Sequence, residues 1–160
     1  MYARDLALFE ELSGIDTSAW PTGSAQFGWG AKGETTTIAK GPITSYYVDH
    51  IDVADPSAFR TATLSLHVDD GAVVYINGVE AARLNMPNGR ITANTPASTY
   101  VSGLAEARWI DLAVPATMFR TGDNSIAVEV HQVALNSPDM VFGARLRASG
   151  AGLRASGAGL

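Results

Sequence analysis

Residues 68–80 read Val68-Asp69-Asp70-Gly71-Ala72-Val73-Val74-Tyr75-Ile76-Asn77-Gly78-Val79-Glu80, and the turns in this stretch point to the fold class. Its apolar, largely β-branched runs are separated by Asp70-Gly71 and Asn77-Gly78. Dipeptides of these types supply the positive φ angles that tight hairpin turns require. The stretch therefore predicts a β-meander, with residues 73–76 and 79–84 as the arms of the second hairpin.

Strand patterns continue on both sides of this stretch. Apolar and polar residues alternate over 62–68, which is the period-two pattern of a half-buried strand. The same pattern recurs further on, where the residues predicted to face the core are Ile126, Val128 and Val130. Further strands are predicted at 46–53, 109–114 and 140–146. With 16 glycines, 7 prolines and no convincing long helix, the chain is predicted to be all-β, a two-sheet β-sandwich of the jelly-roll type.

The predicted sandwich occupies residues 1–146 as one domain, since 160 residues are too few for two comfortable ones. Residues 4–13 fit a short amphipathic helix or an irregular entry strand equally well, and 14–44 suggest loops and short edge strands. Residues 85–103 are predicted to form a long loop. The heptapeptide Arg-Ala-Ser-Gly-Ala-Gly-Leu then occurs twice, at 147–153 and 154–160, and its small residues predict a flexible tail or linker.

Composition excludes several function classes. Residues 1–144 hold 8 basic and 16 acidic side chains, so this body would repel a phosphate backbone, and no nucleic-acid partner is expected. The chain has no cysteine, which rules out disulfides, thiolate zinc sites and a cysteine nucleophile. No apolar run approaches the roughly 18 residues of a membrane span, and the first residues do not begin a secretory signal. No membrane contact is expected, and the chain is either cytosolic or a segment of a longer secreted protein.

One glycine-rich motif formally matches a nucleotide-binding pattern. Residues 28–33, Gly28-Trp29-Gly30-Ala31-Lys32-Gly33, have the G-x-G-x-x-G spacing, which requires a helix to begin inside the motif. The following residues, 34–38, are a β-branched run that starts a helix poorly. The motif is therefore predicted to be a glycine-rich loop that holds Trp29.

Four segments, taken in order, resemble a known family. They are 69–80, 83–89 (Arg83-Leu84-Asn85-Met86-Pro87-Asn88-Gly89), 122–132 (Gly122-Asp123-Asn124-Ser125-Ile126-Ala127-Val128-Glu129-Val130-His131-Gln132) and 137–142. With the earlier tryptophans, they resemble the galactose-binding-domain-like jelly rolls that occur as accessory modules in large secreted bacterial proteins. The resemblance covers most of 20–146. It implies an extracellular module without its own signal peptide, joined to neighbouring domains, that binds carbohydrate or another cell-surface polymer.

Sugar binding requires an aromatic platform and a few fixed polar groups, because sugars present apolar C–H faces ringed by hydroxyls. The predicted ligand-binding residues are Arg83, Asn85, Glu129, His131 and Trp29. Further candidates for the platform are Trp20, Tyr75, Tyr100 and Trp109. Core packing competes as the role of each aromatic residue. A cross-strand ion pair competes as the role of Arg83 and Glu129.

No catalytic or metal constellation is predicted. Asp69 and Asp70 are adjacent, so on a strand they would face opposite sides, and turn formation explains both. His67, His131 and Glu129 are predicted to face outward, and together with His50 they lack the spacing of a metal site. No G-x-S-x-G elbow and no calcium loop are present. The expected function is therefore a non-catalytic accessory module without cofactor; the alternatives are a structural spacer or protein-interaction domain, and a glycosidase or metal-dependent hydrolase.

Overall fold

A computed structural model describes residues 2–4, 16–31 and 33–150 of the chain. Almost all regular structure in these residues is β-strand. The strands are β1 Tyr2–Arg4, β2 Phe27–Trp29, β3 Thr36–Thr37, β4 Thr44–Val53, β5 Thr61–Val68, β6 Gly71–Ile76, β7 Val79–Leu84, β8 Ile110–Val114, β9 Gly122–His131 and β10 Met140–Ser149. Short 3-10 helices at Pro56–Ala58, Gly103–Ala105 and Ala116–Met118 connect them.

The strands form two five-stranded sheets. The first sheet has the order β1-β4-β9-β6-β7 and the second the order β3-β2-β10-β5-β8. All neighbours are antiparallel except β2 and β3. Leaving aside the short β1 and β3, the chain crosses to the other sheet at every connection except the β6–β7 hairpin, as in a jelly roll. The prediction of an all-β two-sheet sandwich is confirmed.

The main core lies between the two sheets and follows the predicted alternation. Leu64 and Leu66 of β5 face Val128 and Val130 of β9 across it, and all four are essentially inaccessible to solvent. Aromatic rings fill its centre: the Tyr47 and Phe142 rings lie 4.3 Å apart, and those of Phe27 and Tyr47 lie 5.2 Å apart. Burial of these side chains is the principal favourable term in the stability of the sandwich.

The Asn77-Gly78 hairpin forms as predicted between β6 and β7. Both residues have positive φ, 52° for Asn77 and 79° for Gly78, as a tight type I′ turn requires. The Asn77 side chain also ties the turn to its surroundings: its Nδ2 donates to the Met118 carbonyl at 2.9 Å, and its Oδ1 accepts from the Ser125 amide at 3.2 Å. The turn is thereby fixed by backbone preference and by side-chain hydrogen bonds.

The predicted first hairpin of the meander, at Asp70-Gly71, is wrong. Strand β5 ends at Val68 in the second sheet and β6 begins at Gly71 in the first, so Asp69 and Asp70 form a corner between sheets. Gly71 serves close packing and not a positive φ, because a Cβ there would lie 2.7 Å from the Met86 sulfur. The alternation of apolar and polar residues is the same whether the next strand pairs with the previous one or crosses to the other sheet. The sequence pattern therefore could not distinguish a hairpin from a corner at Asp70-Gly71.

The outer face of the first sheet is covered by the predicted long loop, residues 85–103. A second apolar cluster lies beneath it, formed by Tyr46, Val48, Val73, Tyr75 and Ala127 with Trp20, Met86, Ile91 and Ala93 packed against it. The loop is bound by backbone contacts: the Ala97 amide donates to the Gln132 carbonyl at 3.1 Å and the Ser98 amide to the Asn85 carbonyl at 2.8 Å. It is therefore packed down as a unit.

The last strand is longer than predicted. β10 runs to Ser149, which pairs with Thr61, so the sandwich extends three residues past 146 and includes the start of the first heptapeptide. The rest of the repeat from 151 onward lies outside the described residues, as does most of the undecided segment 4–13. In the described part of the chain, no helix has the length and apolar character that a membrane crossing needs.

Candidate functional site

A pocket of about 330 Å³ opens on the outer face of the second sheet. Its polar lining comes from five separate segments of the chain. The polar side chains are Gln26, Glu34, His67, Asp69, Glu106 and Asp139. The outer faces of β5 and β10 contribute His67 and Val141, since the residues beside them, Leu66 and Phe142, face the core. Residues 103–107 bound the opposite side.

His67 is fixed on the wall of the pocket by two hydrogen bonds. Gln26 Nε2 donates to His67 Nδ1 at 2.6 Å, so the ring's Nε2 carries the proton that is donated to the Glu106 carbonyl. The His67 ring also packs against Trp109, and the centroids of the two rings lie 5.4 Å apart. The Arg145 guanidinium covers the Trp109 ring at 3.8 Å. The histidine is thus a rigid, neutral part of the site.

Asp69 is the most unusual side chain in the pocket. It is 4% exposed, and its Oδ1 is buried without a hydrogen-bond partner. The backbone of Asp69 is held firmly, because its amide donates to the Val141 carbonyl at 3.1 Å and its carbonyl accepts from Gln132 Nε2 at 2.8 Å. Burial above all raises the pKa of Asp69 to about 8, followed by a hydrogen bond with Asp70 and that residue's negative charge. Burial therefore favours the protonated form of Asp69 in the folded protein.

Asp69 and Asp70 lie in the corner between β5 and β6 and not on a strand, so strand alternation does not set the directions of their side chains. Asp70 is buried as well, yet its carboxylate is satisfied: Oδ1 accepts from the Val101 amide and Oδ2 from the Val133 amide, both at 2.8 Å. These bonds hold the end of the 85–103 loop against the corner. They also position residues 103–107, which bound the pocket.

Three further carboxyl groups surround the opening, from Glu34, Glu106 and Asp139, and all are partly exposed. The nearby Tyr100 ring is 55% exposed. The pKa of its hydroxyl is raised by partial desolvation first and then by the negative charges of Glu106, Asp139 and the corner aspartates. No lysine or arginine is among the described residues that line the pocket. The ionisable side chains among the described lining residues are therefore all acidic apart from His67.

Two of the predicted binding residues, Glu129 and His131, lie on the other side of the sandwich. They do face away from the inter-sheet core, as predicted, but the 85–103 loop covers them, leaving Glu129 3% and His131 0% exposed. Glu129 Oε1 accepts from the Tyr75 hydroxyl at 2.9 Å, and its Oε2 lies 2.8 Å from His131 Nε2. His131 Nδ1 donates to the Thr95 carbonyl of the loop at 2.7 Å. This network fastens the loop to the sheet.

Arg83 and Asn85 also bind the loop. The Arg83 guanidinium pairs with Glu80 at 2.7 and 2.8 Å, in place of the predicted alternative partner Glu129. It donates as well to the Pro87 carbonyl at 2.6 Å and the Gly89 carbonyl at 3.0 Å. Asn85 Nδ2 donates to the Asp70 and Thr99 carbonyls at 3.0 and 2.7 Å. The polar atoms of both side chains are engaged within the protein.

Trp29 is the remaining predicted binding residue. It is 7% exposed and belongs to the main core, so it has the core-packing role that was the alternative to sugar binding. Its indole Nε1 is buried without a hydrogen-bond partner. The glycines around it allow tight packing, because a Cβ on Gly28 would collide with the Met140 carbonyl and one on Gly30 with the Pro138 carbonyl. No helix follows these glycines in the described residues, so the context of a dinucleotide-binding loop is missing.

The histidines do not converge on a metal geometry. His50 lies on β4 and pairs with Asp123 at 3.0 Å, while His67 and His131 are on opposite outer faces. Among the described residues, no group of at least three histidine, aspartate or glutamate side chains is arranged to hold a metal ion.

No sequence pattern points to Gln26, Asp69, Glu106 or Asp139 as candidate site residues. Glu34 has no such signal either, and the pattern around His67 bears only on a metal site. Each lies in or beside a loop, and no local pattern joins them. The sequence does offer one signal, the pair Asp69-Asp70 at the end of a strand. Burying a carboxyl group costs free energy, and buried carboxyl groups with perturbed pKa values are common at functional sites.

No protein-family model matches the chain, and no curated protein sequence does so either. Seven chains of solved structure match its fold. A glycosyl hydrolase family 2 member from Bacteroides cellulosilyticus matches with a TM-score of 0.52 and 15% identity, and 93% of this chain covers 19% of that one. A glycosyl hydrolase family 2 structure from strain DSM 14838 of the same species matches with a TM-score of 0.51 and 17% identity. The match again covers 93% of this chain and 19% of that one.

An alpha-L-rhamnosidase from Streptomyces avermitilis, complexed with L-rhamnose, matches at a TM-score of 0.48 and 19% identity, over 69% of this chain and 9% of that one. The chain thus spans 19% or less of the length of these solved chains. At such identities the two family 2 structures show a common fold, the two-sheet β-sandwich, and it occurs there as a small part of larger glycosyl hydrolases.

Proposed function

We propose that this chain is a non-catalytic accessory module that binds carbohydrate through the pocket on the outer face of the second sheet. The observation that carries the proposal is the set of polar side chains converging on one rigid cavity, with the buried Asp69 Oδ1 left without a protein partner. A buried polar atom that lacks a partner costs free energy, and a ligand hydroxyl or amine would recover it. The described strands β2, β5 and β10 hold the pocket in place.

The composition of the pocket suits a sugar. Sugar hydroxyls donate hydrogen bonds, and Glu34, Glu106 and Asp139 offer carboxylate oxygens that accept them. The exposed Tyr100 ring, within electrostatic range of the same acids, supplies the aromatic face on which a sugar ring packs. This assigns the platform role to an aromatic residue that the sequence analysis named only as a further candidate.

The parent protein in this proposal is a larger, secreted, carbohydrate-active one. The same sandwich fold occurs within two chains of glycosyl hydrolase family 2, of which this chain covers 19%. The galactose-binding-domain-like motifs agree with that setting. The module would hold the polymer while neighbouring domains of the longer chain act on it.

The proposal is tested by titration calorimetry of the 160-residue chain with a panel of soluble neutral, amino and acidic oligosaccharides. At least one of them is expected to bind. The variants Glu106→Gln and Asp139→Asn are each expected to weaken binding about tenfold or more, since a hydrogen bond to a charged group contributes about 1.5–3 kcal/mol. A folded sample that binds no glycan would refute carbohydrate recognition and favour a structural spacer.

A matched control is available in Asp52→Asn. Asp52 is exposed on β4 of the first sheet, opposite Asp123 at the other end of the sandwich from the Asp69 corner. This substitution changes the net charge by the same amount as Asp139→Asn. It should leave affinity unchanged if recognition occurs in the pocket.

A second candidate function, glycoside hydrolysis, is favoured by one observation. Asp69 is buried beside other carboxyl groups, which raises its pKa and favours the protonated acid, and glycosidases use a protonated acid next to an ionised carboxylate. The buried Glu129, in contrast, is sealed beneath the 85–103 loop. Turnover of aryl glycosides that disappears in Asp69→Asn, and persists in Asp52→Asn, would establish this activity in place of simple binding.

A further inference from the structure

We infer that the pocket recognises a protonated amine, so that its ligand is a glycan whose sugars carry free amino groups. This inference rests on the proposed function, because it concerns the same pocket and names its ligand class. The observations behind it are the charge balance of the lining, the isolation of Asp69 and the kind of donor that these groups require.

Acidic side chains predominate in the described lining of the pocket. Glu34, Glu106 and Asp139 line the pocket with Asp69, whereas no lysine or arginine does so among the described residues. His67 adds no positive charge, because its Nδ1 accepts from Gln26 and its Nε2 donates to the Glu106 carbonyl. Carboxylates clustered in this way repel each other, and a cation between them relieves the repulsion.

An ammonium group fits this lining better than the other candidates do. It has a full positive charge and several N–H donors that point in different directions, and every acid in the pocket is an acceptor when ionised. A hydroxyl or an N-acetyl group offers donors without charge, and a sugar carboxylate would be repelled. A metal ion would need at least three converging ligands, and the described residues offer no such group.

Asp69 is the deepest of these acceptors. It is 4% exposed, and its Oδ1 has no partner in the protein. In the free protein, burial and the neighbouring acids hold its pKa at about 8, so the carboxyl is neutral. An ammonium group placed in the pocket favours the carboxylate, so the proton of Asp69 passes to the buffer when the ligand binds. At a pH where the ligand's amine is already protonated, binding should thus release a proton, up to about one per site.

The experiment compares three trisaccharides by titration calorimetry at pH 6.5 and low salt: the β-1,4-linked trimer of glucosamine, its fully N-acetylated form and cellotriose. The glucosamine trimer is expected to bind at least about tenfold more tightly than the other two, and to lose affinity as salt is added. Asp139→Asn and Glu106→Gln should each reduce this preference, whereas Asp52→Asn should not.

Proton release is measured at pH 6, where the amines of the trimer are largely protonated already, in buffers of different ionisation enthalpy. The wild-type chain is expected to release a proton with the glucosamine trimer, and Asp69→Asn is expected to abolish the release while the protein remains folded. Equal affinity for all three trimers would overturn the amine inference and leave carbohydrate binding standing. Equal loss of affinity in Asp52→Asn would overturn it too, since attraction would then come from net charge. Binding of no glycan at all would overturn both proposals.

Discussion

Replacing Asp69 with asparagine should make the protein more stable at neutral and alkaline pH. Asparagine has nearly the shape of the protonated acid, and its amide can still donate to the Asp70 carboxylate. In the wild-type chain the folded state holds the Asp69 proton up to a pKa of about 8, while an aspartate's ordinary value is 3.8. Between these limits the unfolded state binds fewer protons than the folded state, so the wild-type free energy of unfolding falls as pH rises.

The size of the effect follows from the gap between the two pKa values. Each unit of difference in pKa is equivalent to about 1.4 kcal/mol, so the gap between 3.8 and about 8 lowers the wild-type free energy of unfolding by on the order of 5 kcal/mol. That is a large share of the roughly 5–15 kcal/mol by which a domain is stable. The favourable contribution of the protonated acid is fully present below pH 4 and is lost as pH rises toward 8. In Asp69→Asn this loss should be absent.

Urea denaturation followed by tryptophan fluorescence, at several values between pH 4 and pH 9, measures the free energy of unfolding of both chains. Titrating groups remote from Asp69 are common to the two proteins and cancel in the difference, whereas Asp70, which is coupled to Asp69, contributes to the same effect. That difference should grow steadily in favour of Asp69→Asn as pH rises and level off above pH 8. A difference that stays flat from pH 4 to pH 9 would show that Asp69 is an ordinary ionised carboxylate, and would remove the basis for its role in the pocket.

Other substitutions test the fold and the covering loop. Gly78→Ala should cost about 1 kcal/mol by thermal denaturation, because the turn places this residue at φ 79°; no loss of stability would contradict the type I′ turn. Gly71→Ala should cost about 1–3 kcal/mol, since its Cβ would lie 2.7 Å from the Met86 sulfur; a neutral effect would mean that the loop moves away freely. Glu129→Gln should cost about 1–3 kcal/mol and leave glycan affinity unchanged, whereas reduced affinity in the folded variant would assign the first sheet to binding.

The features that sequence predicts well are those set by local rules. Alternation placed Ile126 and Val128 in the core, since a strand's side chains face opposite sides whatever its partner is. The Asn77-Gly78 turn follows from backbone preference alone. Burial of Glu129 could not be predicted in the same way, because alternation gives the face of the sheet on which a residue lies and not what covers that face.

The pocket lay beyond such rules because it depends on long-range assembly. Gln26 and His67 are separated by 41 residues, and they meet only because β10 pairs with both β2 and β5. Glu106 and Asp139 lie a few residues after Val101 and Val133, the two residues whose amides donate to Asp70. A sequence search for spaced motifs cannot find a site of this kind, since its residues share no period and no segment.

The Asp69-Asp70 corner accounts for the different surfaces of the two sheets. At this corner the chain leaves the second sheet and enters the first, and the side chains of two consecutive residues contact different parts of the protein. Asp70 accepts from the Val101 and Val133 amides, and its full satisfaction closes the loop over the first sheet. Asp69 has no equivalent donors for its Oδ1 and lines the pocket on the second sheet. Because the hydrogen-bond donors are divided unequally between the two carboxyl groups, Asp70 stabilises the fold, while Asp69 keeps an unpaired oxygen and is the residue that we propose contacts the ligand.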